Sequence, residues 1–177
     1  MRDRVAFLRA AEGGDWPDLS DTALAAHPAE TLAPFLEQRT SIAAITSEDL
    51  DQILAALLPW NLARRLAAEA PTHFVTPAGS SLPIDYAAEG GPTLAVRVQE
   101  LYGLTQHPAI AGGRVPLMLA LLSPARRPIQ ITRDLPSFWK GSWAAVRSEM
   151  KGRYPRHLWP EDPASAAPTT RAKPRGT

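Results

Sequence analysis

The residues with the clearest capacity for chemistry lie between Phe138 and Trp159, where aromatic and basic side chains alternate. Three of the five tryptophans of the chain fall in this stretch. Cationic side chains can bind phosphates with release of counterions, and aromatic faces can stack on unpaired bases. We therefore predict a nucleic-acid-binding surface made of Arg126, Arg127, Arg133, Lys140, Arg147, Lys151, Arg153 and Arg156 with Trp139, Trp143 and Tyr154.

A second interpretation of the aromatic rings stays open. Trp139, Trp143 and Tyr154 would then anchor this stretch on the rest of the domain, and only the basic side chains would face outward. Under that interpretation the phosphate contacts remain and the base stacking is lost.

The sequence shows no recognisable catalytic set. The absence of cysteine excludes a thiolate zinc site, and the four histidines stand singly without a metal-binding pair. A phosphate-binding loop of the G-x-x-x-x-G-K type is missing, as is a G-x-S-x-G nucleophile elbow. The acid pairs Asp85 with Glu89 and Glu161 with Asp162 lie among loop residues, where a solvated surface is favoured. We expect no catalytic residue, no metal and no cofactor in these 177 residues.

Charge is distributed unevenly along the chain, although the net charge is only +1. Residues 1–71 contain six basic and eleven acidic residues, whereas residues 126–177 contain eleven basic and four acidic ones. Such asymmetry favours an anionic partner at the basic end of the chain. The alternative is that the two ends compensate each other.

No apolar stretch approaches the ~18 residues of a membrane-spanning helix. The first residues also lack the apolar core of a secretory signal. We therefore expect a cytoplasmic protein without a membrane partner.

Residues 1–70 are predicted to form a helical segment. A stripe at Val5 and Leu8 ends at Gly13, and Pro59 separates two later helices. The helix starts and apolar faces that support this are Ser20 with Leu24, then Leu32, Phe35 and Leu36, then Thr46 or Ser47 before Leu50, Ile53, Leu54, Leu57 and Leu58, and finally Trp60, Leu62 and Leu66.

Residues 71–159 are predicted to combine a small partly open barrel of the OB type, or a similar α+β module, with C-terminal helices. Two hairpins are expected, at residues 72–86 and 115–133, with a helix between them over residues 94–102 that ends at Gly103. Pro83 indicates an edge strand or a strand start. The fold class is therefore α+β.

Two short helices should follow, capped by Asp134 and by Ser142. The second places Trp143, Val146 and Met150 on one face and is interrupted at Gly152. Residues 160–177 contain four prolines and no large apolar residue, so a disordered tail is expected there.

Many of these segments together resemble one family. The matching runs are APTH at residues 70–73, IDY at 84–86, QELYGL at 99–104, GGRVPL at 112–117, LLSP at 121–124, ITRDL at 131–135, FW at 138–139, GS at 141–142, MKGRYPRH at 150–157 and WPEDP at 159–163. In this order and spacing they resemble the C-terminal region of the HrpB family of bacterial ATP-dependent DExH-box helicases.

The resemblance implies an accessory region of a superfamily 2 helicase. Such helicases join two RecA-like motor lobes to smaller modules that help to guide single-stranded nucleic acid. Neither lobe is found in these 177 residues, so ATP and magnesium are expected only at the missing lobes. We expect the chain alone to hydrolyse no ATP and to unwind nothing.

Two functions from different classes follow. The first is an accessory helicase module that binds single-stranded nucleic acid, with RNA favoured, and works with the RecA-like lobes of a full-length protein. The alternative is a structural or protein-docking module that packs on the motor, or on a partner protein, without contacting nucleic acid.

Overall fold

The computed structural model describes residues 1–26, 28 and 46–172. The chain divides into two compact units, Met1–Ala70 and Pro71–Thr177. The described part of the first unit is helical, with α1 at Arg2–Glu12, α2 at Asp21–Ala26, α3 at Ser47–Ala56 and α4 at Trp60–Glu69.

Local signals explain these helices. Helix α1 buries Val5 and Leu8 and ends at Gly13, whose φ of 94° is a conformation that favours glycine. Helix α3 begins with a capping box between Thr46 and Asp49. The predicted helices are thus confirmed, except for the stripe at Leu32, Phe35 and Leu36, which lies outside the described residues.

The second unit is built on a five-stranded mixed sheet in the order β1-β2-β3-β6-β7. Its strands in chain order are β1 at His73–Val75, β2 at Ser81–Asp85, β3 at Thr93–Arg97, the short β4 at Ala109–Ile110 and β5 at Val115–Pro116, then β6 at Met118–Leu122 and β7 at Pro128–Thr132. Strands β4 and β5 pair with each other in a separate two-stranded sheet. Neighbouring strands of the main sheet are antiparallel, except that β3 and β6 are parallel.

Both predicted hairpins are confirmed. Phe74 pairs with Leu82 in the first, and Ala120 with Ile131 in the second. The prediction for Pro83 needs qualification, because β2 lies between two strands. However, β2 pairs with β3 only at Ile84 and Asp85, so Pro83 itself faces a partner only on the β1 side.

One prediction about this region is not confirmed, and another is wrong in part. Within the described residues no pairing joins β1 to β7, so the sheet is open and an OB-type barrel is not confirmed. The helix expected over residues 94–102 is wrong for its first half, where β3 continues to Arg97, and only Val98–Leu101 form a short 3-10 helix. Leu94 and Val96 both lie on the buried face of β3. Residues four apart share one face of a strand as well as of a helix, so the i, i+4 spacing does not distinguish the two.

Two helices follow the sheet, α5 at Leu135–Lys140 and α6 at Trp143–Arg153. The Asp134 side chain caps α5 by accepting a hydrogen bond from the Ser137 N–H, 3.0 Å away. Ser142 occupies the cap position of α6 without a side-chain cap bond, and α6 continues through Gly152, where an interruption was expected. His107 ties α5 to the sheet region, because its Nδ1 accepts from the Leu135 N–H and its Nε2–H donates to the Leu117 carbonyl.

Aromatic rings form one part of the core of this unit. Ring centroids in the group lie 5.2 to 6.2 Å from a neighbouring ring. The members are Tyr102, Phe138, Trp139, Trp143 and Trp159, all of them buried.

Residues 160–172 form no helix or strand, yet they differ from the disorder expected of them. The Gly103 N–H donates to the Pro163 carbonyl, and the Thr169 N–H donates to the Gln99 carbonyl, both at 3.0 Å. These backbone bonds join the segment to residues 99 and 103 of the same unit. Residues 173–177 lie outside the described residues, and none of the described helices is long and apolar enough to cross a membrane.

Candidate nucleic-acid interface

The turn between β6 and β7 presents two arginines to solvent. Ser123 closes this turn, since its N–H donates to the Arg127 carbonyl at 2.8 Å and its Oγ accepts from the Arg127 N–H at 3.1 Å. Arg126 has a φ of 58°, in the left-handed region. Arg126 and Arg127 are both exposed.

The C-terminal end of α6 presents three more cations. Lys151 and Arg153 lie in the last turn of the helix, and Arg156 follows it. All three side chains are exposed. Arg153 reaches Glu149 at 3.2 Å, an exposed pair that holds its partners weakly.

A contact between Ser123 and Tyr154 joins these two places. The Tyr154 hydroxyl lies 3.4 Å from Ser123 Oγ, and Tyr154 follows α6 directly. The turn and the helix end are therefore neighbours, and together they form what we call the basic end: Arg126, Arg127, Lys151, Arg153 and Arg156. Within the described part of the chain, four of the five form no ion pair, Arg153 being the exception.

Arg97 and His157 lie beside the basic end. Arg97 pairs across the sheet with Leu122, the residue before Ser123. The pKa of His157 is lowered by burial and by the charges of Arg156 and Arg97, so both arginines act on this imidazole. The sequence prediction missed Arg97 because it lay in the expected helix. The alternation of Leu94 and Val96 would have placed Arg97 at the end of a strand.

Arg133 and Lys140 lie apart from the basic end. Arg133 follows β7 at the end opposite the turn, about 20 Å along the strand from Arg127, and its guanidinium contacts the Gly90 carbonyl. Lys140 is exposed at the end of α5, before α6 begins, whereas Lys151 lies about 12 Å along α6 from Trp143. The structure thus does not bring these two predicted residues together with the other cations.

Arg147 is already engaged within the fold. Its Nε–H donates to the Trp159 carbonyl at 3.0 Å, and its NH2 group contacts Glu161 at 3.1 Å. Arg147 therefore holds residues 159–161 against α6.

The two tryptophans are placed in the core. Trp139 and Trp143 are 8% and 2% exposed, and their indole N–H groups donate to the carbonyls of Leu104 and Pro160 at 3.0 Å. This burial favours the interpretation in which the rings anchor the segment. Tyr154 is half-buried, with its hydroxyl toward Ser123.

The acid pair Glu161 and Asp162 has hydrogen-bond and ion-pair partners within the fold. Glu161 pairs with Arg147, and Asp162 accepts from the Ala164 N–H and the Ser165 hydroxyl. The bond from Ser165 is the main reason why the pKa of Asp162 is lowered. Among the residues that the structure describes, no group of three or more acidic or histidine side chains could hold a metal ion.

Comparison with known proteins identifies relatives over most of the chain. The family model described as "ATP-dependent helicase C-terminal" matches residues 31–163. The ATP-dependent RNA helicase HrpB of Escherichia coli (strain K12) is 50% identical over 159 residues, which cover 90% of this chain and 20% of that protein.

Two solved structures are also similar to this chain. The crystal structure of E. coli DExH-box NTPase HrpB matches with a TM-score of 0.86 and 48% identity, covering 96% of this chain and 21% of that one. The crystal structure of E. coli DEAH/RHA helicase HrpB matches with a TM-score of 0.70 and 44% identity, covering 89% and 20%. The chain thus spans about a fifth of the length of these relatives. The resemblance seen in the sequence is confirmed, and the chain belongs to the ATP-dependent helicase C-terminal family.

Proposed function

We propose that this helicase C-terminal domain binds the phosphate backbone of single-stranded nucleic acid at its basic end. The observation that carries the proposal is the contact between Ser123 and Tyr154, which brings two separate groups of exposed cations together. Cations without a carboxylate partner are free to exchange their counterions for phosphates. RNA is the favoured nucleic acid, because the E. coli relative is named an RNA helicase.

The proposal assigns the affinity to phosphate contacts and gives the tryptophans a supporting role. Trp139 and Trp143 have no exposed ring face for a base to stack on. Binding carried by phosphates should depend little on base sequence. In a full-length helicase the domain would act beside RecA-like lobes, and ATP and magnesium would bind to those lobes.

A salt titration with fluorescently labelled single-stranded RNA tests the proposal. Five phosphate contacts predict a slope of about −3.5 when log affinity is plotted against log salt concentration. Raising the salt from about 50 to about 200 mM should then weaken binding about a hundredfold.

Matched double charge reversals locate the site. Arg127→Glu with Lys151→Glu changes the basic end, and Arg133→Glu with Lys140→Glu changes the same charge elsewhere. The first pair should weaken binding more than about tenfold and make the slope shallower by about 1.4, whereas the second should have a much smaller effect. Circular dichroism would verify that all variants fold. Equal losses from the two pairs would overturn the assignment, and a wild-type chain without salt-dependent RNA binding would leave the docking function instead.

A further inference from the structure

Arg97 offers unused hydrogen-bond donors next to the basic end. Its Nε–H donates to Glu100 Oε1 at 2.7 Å. The N–H groups of its two terminal nitrogens make no hydrogen bond to the described residues. The side chain remains 25% exposed. One edge of the guanidinium is thus held and the other is available, which is the geometry in which arginine binds an anion.

Glu100 is a buried charge with few partners. Its side chain is 3% exposed, and its Oε2 has no hydrogen-bond partner in the described part of the chain. A buried carboxylate without full pairing is costly and is often retained for a specific purpose. The hydrogen bond from Arg97 supports a role for Glu100 in fixing the direction of the Arg97 side chain.

Two features place Arg97 at the proposed phosphate path, and a third favours binding there. Its Cα partner in β6 is Leu122, which directly precedes the turn with Arg126 and Arg127. Its charge acts on His157 together with that of Arg156. Unlike the long exposed side chains of the basic end, it is oriented before any ligand arrives, so it loses less conformational entropy on binding.

We propose that Arg97 is a further phosphate-binding residue, with Glu100 as its positioning residue. This inference rests on the proposed function, since it adds one contact to the same surface. It makes an unusual prediction about charge. Removal of the acidic Glu100 should weaken binding of an anion, because Arg97 loses its orientation, although the net positive charge of the domain increases.

The experiment measures binding of labelled single-stranded RNA to the 177-residue chain at several salt concentrations. Arg97→Gln should bind about fivefold more weakly at about 0.1 M salt, with a slope shallower by about 0.7. Lys140→Gln, which removes one charge away from the basic end, is the matched control and should change affinity much less.

Glu100→Leu tests the positioning role and should bind more weakly than the wild type. The double variant Arg97→Gln with Glu100→Leu should bind like Arg97→Gln alone, because Glu100 acts through Arg97. Glu100→Gln replaces Glu100→Leu if circular dichroism shows that the leucine variant does not fold.

The possible outcomes distinguish failure of this inference from failure of the proposed function. If the wild type binds and Arg97→Gln equals the Lys140→Gln control, the role of Arg97 is overturned while the proposed function stands. If Glu100→Leu binds more tightly than the wild type, the positioning role is overturned. If the wild type shows no salt-dependent binding, the proposed function fails, and this inference fails with it.

Discussion

Basic side chains of the C-terminal region differ in what they contact, although they look alike in the sequence. Arg147 donates to the Trp159 carbonyl and is 29% exposed, whereas Lys151, one turn later on α6, is exposed and forms no ion pair with the described residues. A side chain that holds two segments together contributes to stability. A solvated side chain is available for a ligand.

Substitution by methionine should therefore affect stability at Arg147 and RNA binding at Lys151. Arg147→Met is expected to lower the free energy of unfolding by about 1–2 kcal/mol, because the Trp159 carbonyl loses a charged donor. Lys151→Met should change stability by less than about 0.5 kcal/mol and weaken RNA binding instead. Urea denaturation and RNA titration of both variants provide the measurement. A destabilised Lys151→Met with unchanged affinity would contradict this separation of roles.

His157 makes a second prediction at the scale of a residue. Burial, Arg156 and Arg97 together lower its pKa below the ordinary value of 6.5. The unfolded chain therefore takes up this proton at a higher pH than the folded chain does, and stability should decrease as the pH falls below 6.5. The difference in unfolding free energy between wild type and His157→Gln, measured from about pH 8 to about pH 5.5, should show this loss. A difference that does not vary with pH would refute it.

Sequence reasoning at this scale recognises residue types better than their partners. It identified the cations of the basic end, which are exposed in the structure. It left Trp139 and Trp143 with two interpretations, because ring burial depends on contacts with Leu104 and Pro160. The role of Arg147 likewise depends on its contacts with Trp159 and Glu161, and Glu161 lies in the segment that was expected to be a disordered tail.

At the scale of elements, local patterns predicted what local interactions determine. The two hairpins and the cap at Asp134 each involve residues close in sequence, and all are present. The parallel pairing of β3 with β6 joins Thr93 to Met118 across a long crossover, and no local signal indicates it. That pairing places residues 93–97 in a strand, where a helix was expected over residues 94–102.

The cap of α5 yields a prediction about an element. Asp134 accepts from the Ser137 hydroxyl and N–H, and these bonds lower its pKa. Asp134→Ala should lower the melting temperature by about 2–4 °C, whereas Asp134→Asn should retain most of the cap. The stabilising effect of Asp134 should also be lost as the pH falls from 3.8 through its lowered pKa in the folded state, because the unfolded chain takes up this proton at a higher pH than the folded chain does. Thermal melts of the three proteins would test this, and equal melting temperatures for alanine and wild type would rule out a stabilising cap.

At the scale of the whole molecule, the charges of the two units have opposite sign. Residues 1–70 contain six basic and eleven acidic residues, whereas residues 71–177 contain thirteen basic and seven acidic ones. Only the second unit contains the basic end. An acidic segment attached to the same chain repels a phosphate backbone over about one Debye length, ~10 Å at 0.1 M salt.

The isolated second unit should therefore bind single-stranded RNA more tightly than the whole chain does at low salt. Its fold should persist, because residues Pro71–Thr177 form a compact unit of their own. The gain should be greatest at about 20–50 mM salt and should vanish near 1 M, where the Debye length is only ~3 Å. Parallel titrations of residues 71–177 and of the full chain give the ratio of affinities at each salt concentration. A ratio that stays constant with salt would rule out an effect of the charge of residues 1–70 on binding.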